Sequence, residues 1–76
     1  MSCLINEICM GLIKARIRRK RSRLGARYTV SVVRLYRDGD IWKESTRFCR
    51  DDLPVMRLVL DRAHTWILQQ SHRTES

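Results

Sequence analysis

Leu12-Ile13-Lys14-Ala15-Arg16-Ile17-Arg18 alternates apolar and basic side chains without a break. Period two is the pattern of a strand with one face buried and the other open. Ile13, Ala15 and Ile17 are expected on the buried side, and Lys14, Arg16 and Arg18 on a cationic open side. Downstream, Arg19 to Gly25 reads as a basic turn segment long enough to project from the sheet as a finger. Tyr28 to Arg37 is a second strand, rich in β-branched and aromatic residues, whose alternation slips at Val32-Val33. A bulge there would keep Val33 and Leu35 with Tyr28, Val30 and Val32 on the buried side, and turn Thr29, Ser31, Arg34 and Tyr36 outward.

Asp38-Gly39 marks a tight hairpin, because glycine tolerates the positive φ that two-residue turns require. A third strand is expected from Ile41 to about Cys49; its alternation does not say which face is buried. Arg50-Asp51-Asp52-Leu53-Pro54 reads as a helix start, with an Asp to cap free N–H groups and a proline in the first turn. The helix is expected to reach about Gln70. Leu53, Met56, Leu60, Ala63 and Ile67 centre its apolar stripe, which Val55, Val59 and Trp66 widen to roughly 160°. That is more than one thin sheet needs, and part of it is expected to meet another chain. The fold class is α+β: a three-stranded antiparallel meander with one long C-terminal helix on one face, and a homodimer. The domain is residues 11–70, residues 1–10 are a tail or short extra element, and 71–76 are a frayed end. Met10 is a second candidate start.

Ten Lys or Arg residues and no Asp or Glu lie between Lys14 and Arg37, in a chain of net charge +8. A block this one-sided repels itself unless a polyanion or solvent takes up the field, so phosphate is the expected partner. Lys14, Arg16 and Arg18 project at about 6.6–7 Å intervals, close to the phosphate spacing of an extended single strand. Arg27 and Arg34 would widen the track, Arg19, Lys20, Arg21 and Arg23 would form its finger, and Tyr36 could stack on a base. The bland alternative is a solvated face that keeps the chain in solution.

Little points to catalysis. Asp61 and His64, three apart on a helix, read as a surface pair, and Asp51-Asp52 as caps. Cys3, Cys9 and Cys49 are odd in number and form no C-x-x-C pair, which fits a reducing cytoplasm and neither a disulfide framework nor a zinc site. Three scattered glycines make no phosphate loop. Neither cofactor nor metal is expected. The N-terminal ten residues lack the basic region and cleavage site of a signal peptide, and no apolar run is long enough to span a bilayer. Trp42, Phe48 and Trp66 are expected in the core.

The stretch Tyr36-Arg37-Asp38-Gly39-Asp40-Ile41-Trp42-Lys43-Glu44-Ser45-Thr46-Arg47-Phe48, followed by Arg50-Asp51-Asp52-Leu53 and Asp61-Arg62-Ala63-His64-Thr65-Trp66-Ile67, resembles a family of small bacterial proteins of uncharacterised function. With Gly11-Leu12-Ile13-Lys14-Ala15 the likeness covers about residues 11–67. It implies a bacterial origin and supplies no activity. Members of that family carry an aromatic residue near the position of Arg18 and fewer charges after it, so the dense Arg18 to Arg23 block is this chain's own departure. At the level of topology alone, basic strands followed by one long helix look like the single-stranded-DNA-binding domains of transcriptional coactivators and of the Pur and Whirly families, an analogy of fold only.

The expected function is a non-enzymatic, cytoplasmic nucleic-acid-binding module that favours single strands and grips phosphates with a basic sheet face and a basic finger. The competing expectation is an assembly module that binds a protein, an acidic one among the candidates, with its helix face and a strand edge.

Overall fold

The structure, a computed structural model, describes the backbone of residues 2–75 and the side chains of residues 3–70. Four strands form one antiparallel sheet in chain order: β1 (Ser2–Met10), β2 (Ile13–Ser22), β3 (Gly25–Asp38) and β4 (Ile41–Ser45). A single 3₁₀ turn, Arg50–Asp52, leads into α1 (Leu53–Glu75). The expected meander had three strands; the fourth, β1, is made by the N-terminal segment that carried no strand reading. The helix was expected to end at about Gln70 and α1 runs to Glu75; Ser76 lies outside the described residues.

Each hairpin closes through a two-residue turn. Gly11 (φ 59°) and Gly39 (φ 63°) are the first central residues of the β1–β2 and β3–β4 turns, and among the described residues no non-glycine has a positive φ. A positive φ confined to the first central position is the type II′ pattern, whose twist matches that of the flanking strands. Either glycine replaced by an L-residue would be strained there.

Pairing fixes the faces, because residues opposite each other in an antiparallel ladder share a side. Ile13, Ala15 and Ile17 lie opposite Arg34, Val32 and Val30 on β3, and opposite Met10, Ile8 and Asn6 on β1. This is the face that α1 covers. Val59 packs onto Ile13 and Ala15, Ile8, Met10, Val32, Phe48, Val55 and Met56 surround them, and Ala63 is buried one turn further along the helix. The centre of the helix stripe is therefore Val59 and Ala63, not the wider set expected; Leu53 and Leu60 stay 54% and 42% exposed. The reason is placement: α1 packs chiefly on β1 and β2, so its flank toward β3 and β4 is only partly covered. Val30 and Ile41, on the same side of those strands, are exposed.

The expected bulge at Val32-Val33 is absent. β3 pairs with β2 residue for residue from Gly25 to Arg34, and Leu35 N–H extends the ladder by donating to Leu12 O at 2.7 Å. Plain alternation thus puts Arg34 and Tyr36 on the helix side, and Val33 and Leu35 on the other. The register shift lies in β1 instead, between Leu4 and Asn6, and it moves Leu4 to the open face. β4 ends at Ser45, short of the expected Cys49. Trp42 is not core: it is 58% exposed on the open face, with the Arg37 guanidinium 6.0 Å from its ring centroid.

Ile17 is fully buried at the centre of β2. Ile17→Ala is expected to lower unfolding free energy by about 2–5 kcal/mol, the usual cost of truncating a buried isoleucine. Urea denaturation followed by tryptophan fluorescence measures it, and a loss below ~1 kcal/mol would show that the core does not rest on β2.

Candidate nucleic-acid interface

β2 sends Lys14, Arg16, Arg18 and Lys20 to the face away from α1, as its alternation requires. This face is not a free cationic track. Glu7 on β1 lies directly opposite Arg16 and approaches it at 3.6 Å and Lys14 at 3.9 Å. From the other side Glu44 on β4 reaches across β3: Arg16 Nη1 donates to Glu44 Oε1 at 2.9 Å, and Nη2 donates to Oε2. The fork-to-fork geometry is that of a strong charge-assisted pair. Arg16 therefore ties β1 and β4 to β2, and Val33 is buried on the same face.

Protonation follows the geometry. The hydrogen bonds from Arg16 hold the Glu44 carboxyl below the usual carboxylate range, against the opposing effect of burial and with help from the charges of Arg16 and Lys14. Arg16 in turn is raised above its ordinary value, first by its hydrogen bond to Glu44. A group held in ionic partnership by two carboxylates is poorly placed to take up a phosphate as well.

Other members of the expected site are occupied too. Arg34 lies on the helix side, where its Nε is 3.3 Å from Asp52 Oδ2 without hydrogen-bond geometry. Asp52 Oδ2 also accepts the Cys49 N–H at 2.8 Å, so this carboxylate secures the entry to α1 and links it to β3. Tyr36 shares the helix side with Arg34 and is opposite Lys43. The ring and the Lys14–Arg16–Arg18 row thus lie on opposite faces of the sheet, and one strand of nucleic acid cannot use both at once. Arg37 pairs with Asp40 at 3.7 Å and donates to Gly39 O at 3.0 Å.

Six of the ten basic residues remain: Arg18, Arg19, Lys20, Arg21, Arg23 and Arg27. Among the described residues none of them has an acidic partner. All belong to the β2–β3 hairpin. β1 accompanies β2 only as far as the Ser2–Lys20 pair, and β4 accompanies β3 only from Arg34 onward, so past Lys20 the sheet narrows to two strands. Every residue from Lys20 to Arg27 is exposed. Segregation of free cations here follows from the sequence: the eight acidic residues lie at Glu7, from Asp38 to Asp61 and at Glu75, and among the described residues none pairs with a cation of the hairpin. What sequence reasoning missed was the neutralising set, Glu7, Glu44 and Asp52, since their pairings depend on registers that no local pattern discloses.

Cys3, Cys9 and Cys49 are free and exposed. No cluster of three metal-ligating side chains occurs among the described residues, and none of their helices is long and apolar enough to cross a membrane. Comparison with family models, with curated proteins and with solved structures finds no match to this chain.

Because the folded value of Glu44 is depressed, its ionised form stabilises the fold above the ordinary carboxylate range, and that contribution disappears as pH falls through the depressed value. Wild type is expected to exceed Glu44→Gln in urea midpoint at neutral pH, with the two converging in acid. A gap that persists unchanged into strong acid would show that the Arg16–Glu44 pair is not its source.

Proposed function

We propose that this chain is a non-enzymatic nucleic-acid-binding module whose grip on phosphate lies in the β2–β3 hairpin. The observation that carries this reading is the set of six cations of the β2–β3 hairpin without an acidic partner among the described residues, while Lys14, Arg16 and Arg34 are met by Glu7, Glu44 and Asp52. Unpaired arginines and lysines on a polyanion release condensed counterions, which makes affinity fall with salt in proportion to the phosphates contacted. The sheet face expected to cradle a single strand supports this less well, because binding there would have to displace the carboxylates from Arg16 and because Tyr36 lies behind it.

A second reading is favoured by a separate surface. Leu53, Leu60, Val30 and Ile41 are exposed apolar residues on the helix side, toward the less covered half of the sheet, and the outer edge of β3 is unpaired before Arg34. A domain of this size rarely builds a sufficient core alone. A protein partner, or a second copy forming a homodimer, would cover these apolar residues. Light scattering on the purified chain is expected to give twice the monomer mass, and Leu60→Glu to halve it. A monomer at every concentration would leave these residues to another protein.

For the main reading, fluorescence anisotropy with labelled nucleic acid at several salt concentrations is the test. Lys20→Ala is expected to lower the salt slope by about one unit, the signature of one lost phosphate contact. Arg16→Ala is expected to change it much less. Equal losses would return the grip to the sheet face, and no salt-sensitive binding at all would remove the function.

A further inference from the structure

Leu24 is 100% exposed, the most exposed large apolar side chain among the described residues, and it stands at the tip of the most basic element. The tip is built rather than loose. Leu24 N–H donates to Ser22 Oγ at 3.3 Å, and Ser22 Oγ donates to Gly25 O at 3.2 Å, which pins the two-residue turn Arg23-Leu24. Behind it the cations alternate around the ribbon. Arg18, Lys20 and Arg27 lie on the open face, while Arg19 and Arg21 share the face of Ile17.

Charge on both faces discriminates among polyanions. A membrane surface or a single strand laid on the sheet meets one face or one end of such a ribbon and leaves the remaining cations in water. A groove with phosphate walls on both sides meets both. The major groove of B-form DNA is about 12 Å wide and about 8.5 Å deep, and it admits a two-stranded β-ribbon. Two strands about 4.8 Å apart, with their side chains, fill that width, and the three residues from Arg21 to the turn span about 10 Å. The minor groove, about 6 Å wide, is too narrow, and the major groove of duplex RNA is too narrow for side chains to read.

Resting on the reading of this chain as a nucleic-acid-binding module, we infer that the β2–β3 hairpin enters the major groove of duplex DNA. Arg21 and Arg27 contact opposite phosphate walls, and Leu24 meets the apolar base edges at the floor, of which the thymine 5-methyl group is the one it can recognise. Arg23, beside Leu24 in the turn, reaches the same floor.

The experiment is anisotropy with one A·T-containing sequence prepared as duplex DNA, duplex RNA, single-stranded DNA and duplex DNA with deoxyuridine in place of thymidine, alongside phosphatidylserine vesicles. Wild type is expected to bind duplex DNA several-fold tighter than the RNA duplex or the single strand, and to lose several-fold on deoxyuridine. Leu24→Ala, which keeps its circular dichroism spectrum because the side chain is fully exposed, is expected to bind both DNA duplexes alike with an unchanged salt slope. Arg21→Ala and Arg27→Ala are each expected to lower that slope by about one. Tighter binding to single strands or to duplex RNA, a slope that responds to only one of the two arginines, or Leu24-dependent binding to vesicles alone would overturn the groove while leaving phosphate binding to be judged by its own salt dependence. Absence of salt-sensitive binding to every nucleic acid would remove the parent reading and the groove with it.

Discussion

Everything in this fold is arranged around the two faces of β2. It is paired on both edges, its Ile13, Ala15 and Ile17 are almost wholly buried beneath α1, and its even-numbered residues carry the charge. A one-residue slip would expose the isoleucines and bury the arginines, so register is held strongly where the helix covers the strand. That constraint ends where the helix does. Past Ile17 no apolar side chain of β2 is left to bury, and the strand continues with its partner as a ribbon of cations.

The same alternation produces two kinds of positive charge. Near the middle of the sheet, β1 and β4 bring carboxylates to Arg16, and the pair works as a brace across the open face. Toward the hairpin tip no acid among the described residues pairs with the ribbon. A sum over the sequence cannot separate bracing charge from available charge, but the pairing pattern can. This distinction moves the proposed contact with nucleic acid from the sheet to its extension, and it explains how a compact core coexists with so basic an element.

Much of the architecture was legible in the sequence for a physical reason: strict alternation at Leu12 to Arg18, the Asp38-Gly39 turn and the acidic, proline-bearing helix start are local signals, and the structure places elements at each. β1 was not legible because its apolar residues fall on both faces and its register shifts after Leu4; Gly11 was the available turn signal. The bulge expected at Val32-Val33 came from assuming that every valine seeks one core. Val33 instead finds cover on the open face beneath the level of the Arg16–Glu44 brace. Which face of β4 is buried could not be read from its alternation either, since that depends on where α1 lies, and α1 lies over β1 and β2. For the site, the basic residues themselves were evident, while their division into paired and unpaired groups required long-range contacts such as Arg16 with Glu44, twenty-eight positions apart.

The central claim is that the hairpin, and not the sheet face, holds the phosphate. The most direct test is a ¹⁵N–¹H correlation spectrum recorded through a titration with duplex DNA at moderate salt. The account predicts that the largest shifts fall on amides from Lys20 to Arg27, with Lys14, Arg16 and Glu44 little changed. Shifts centred on Lys14, Arg16, Ser31 and Val33, with the hairpin unmoved, would contradict it.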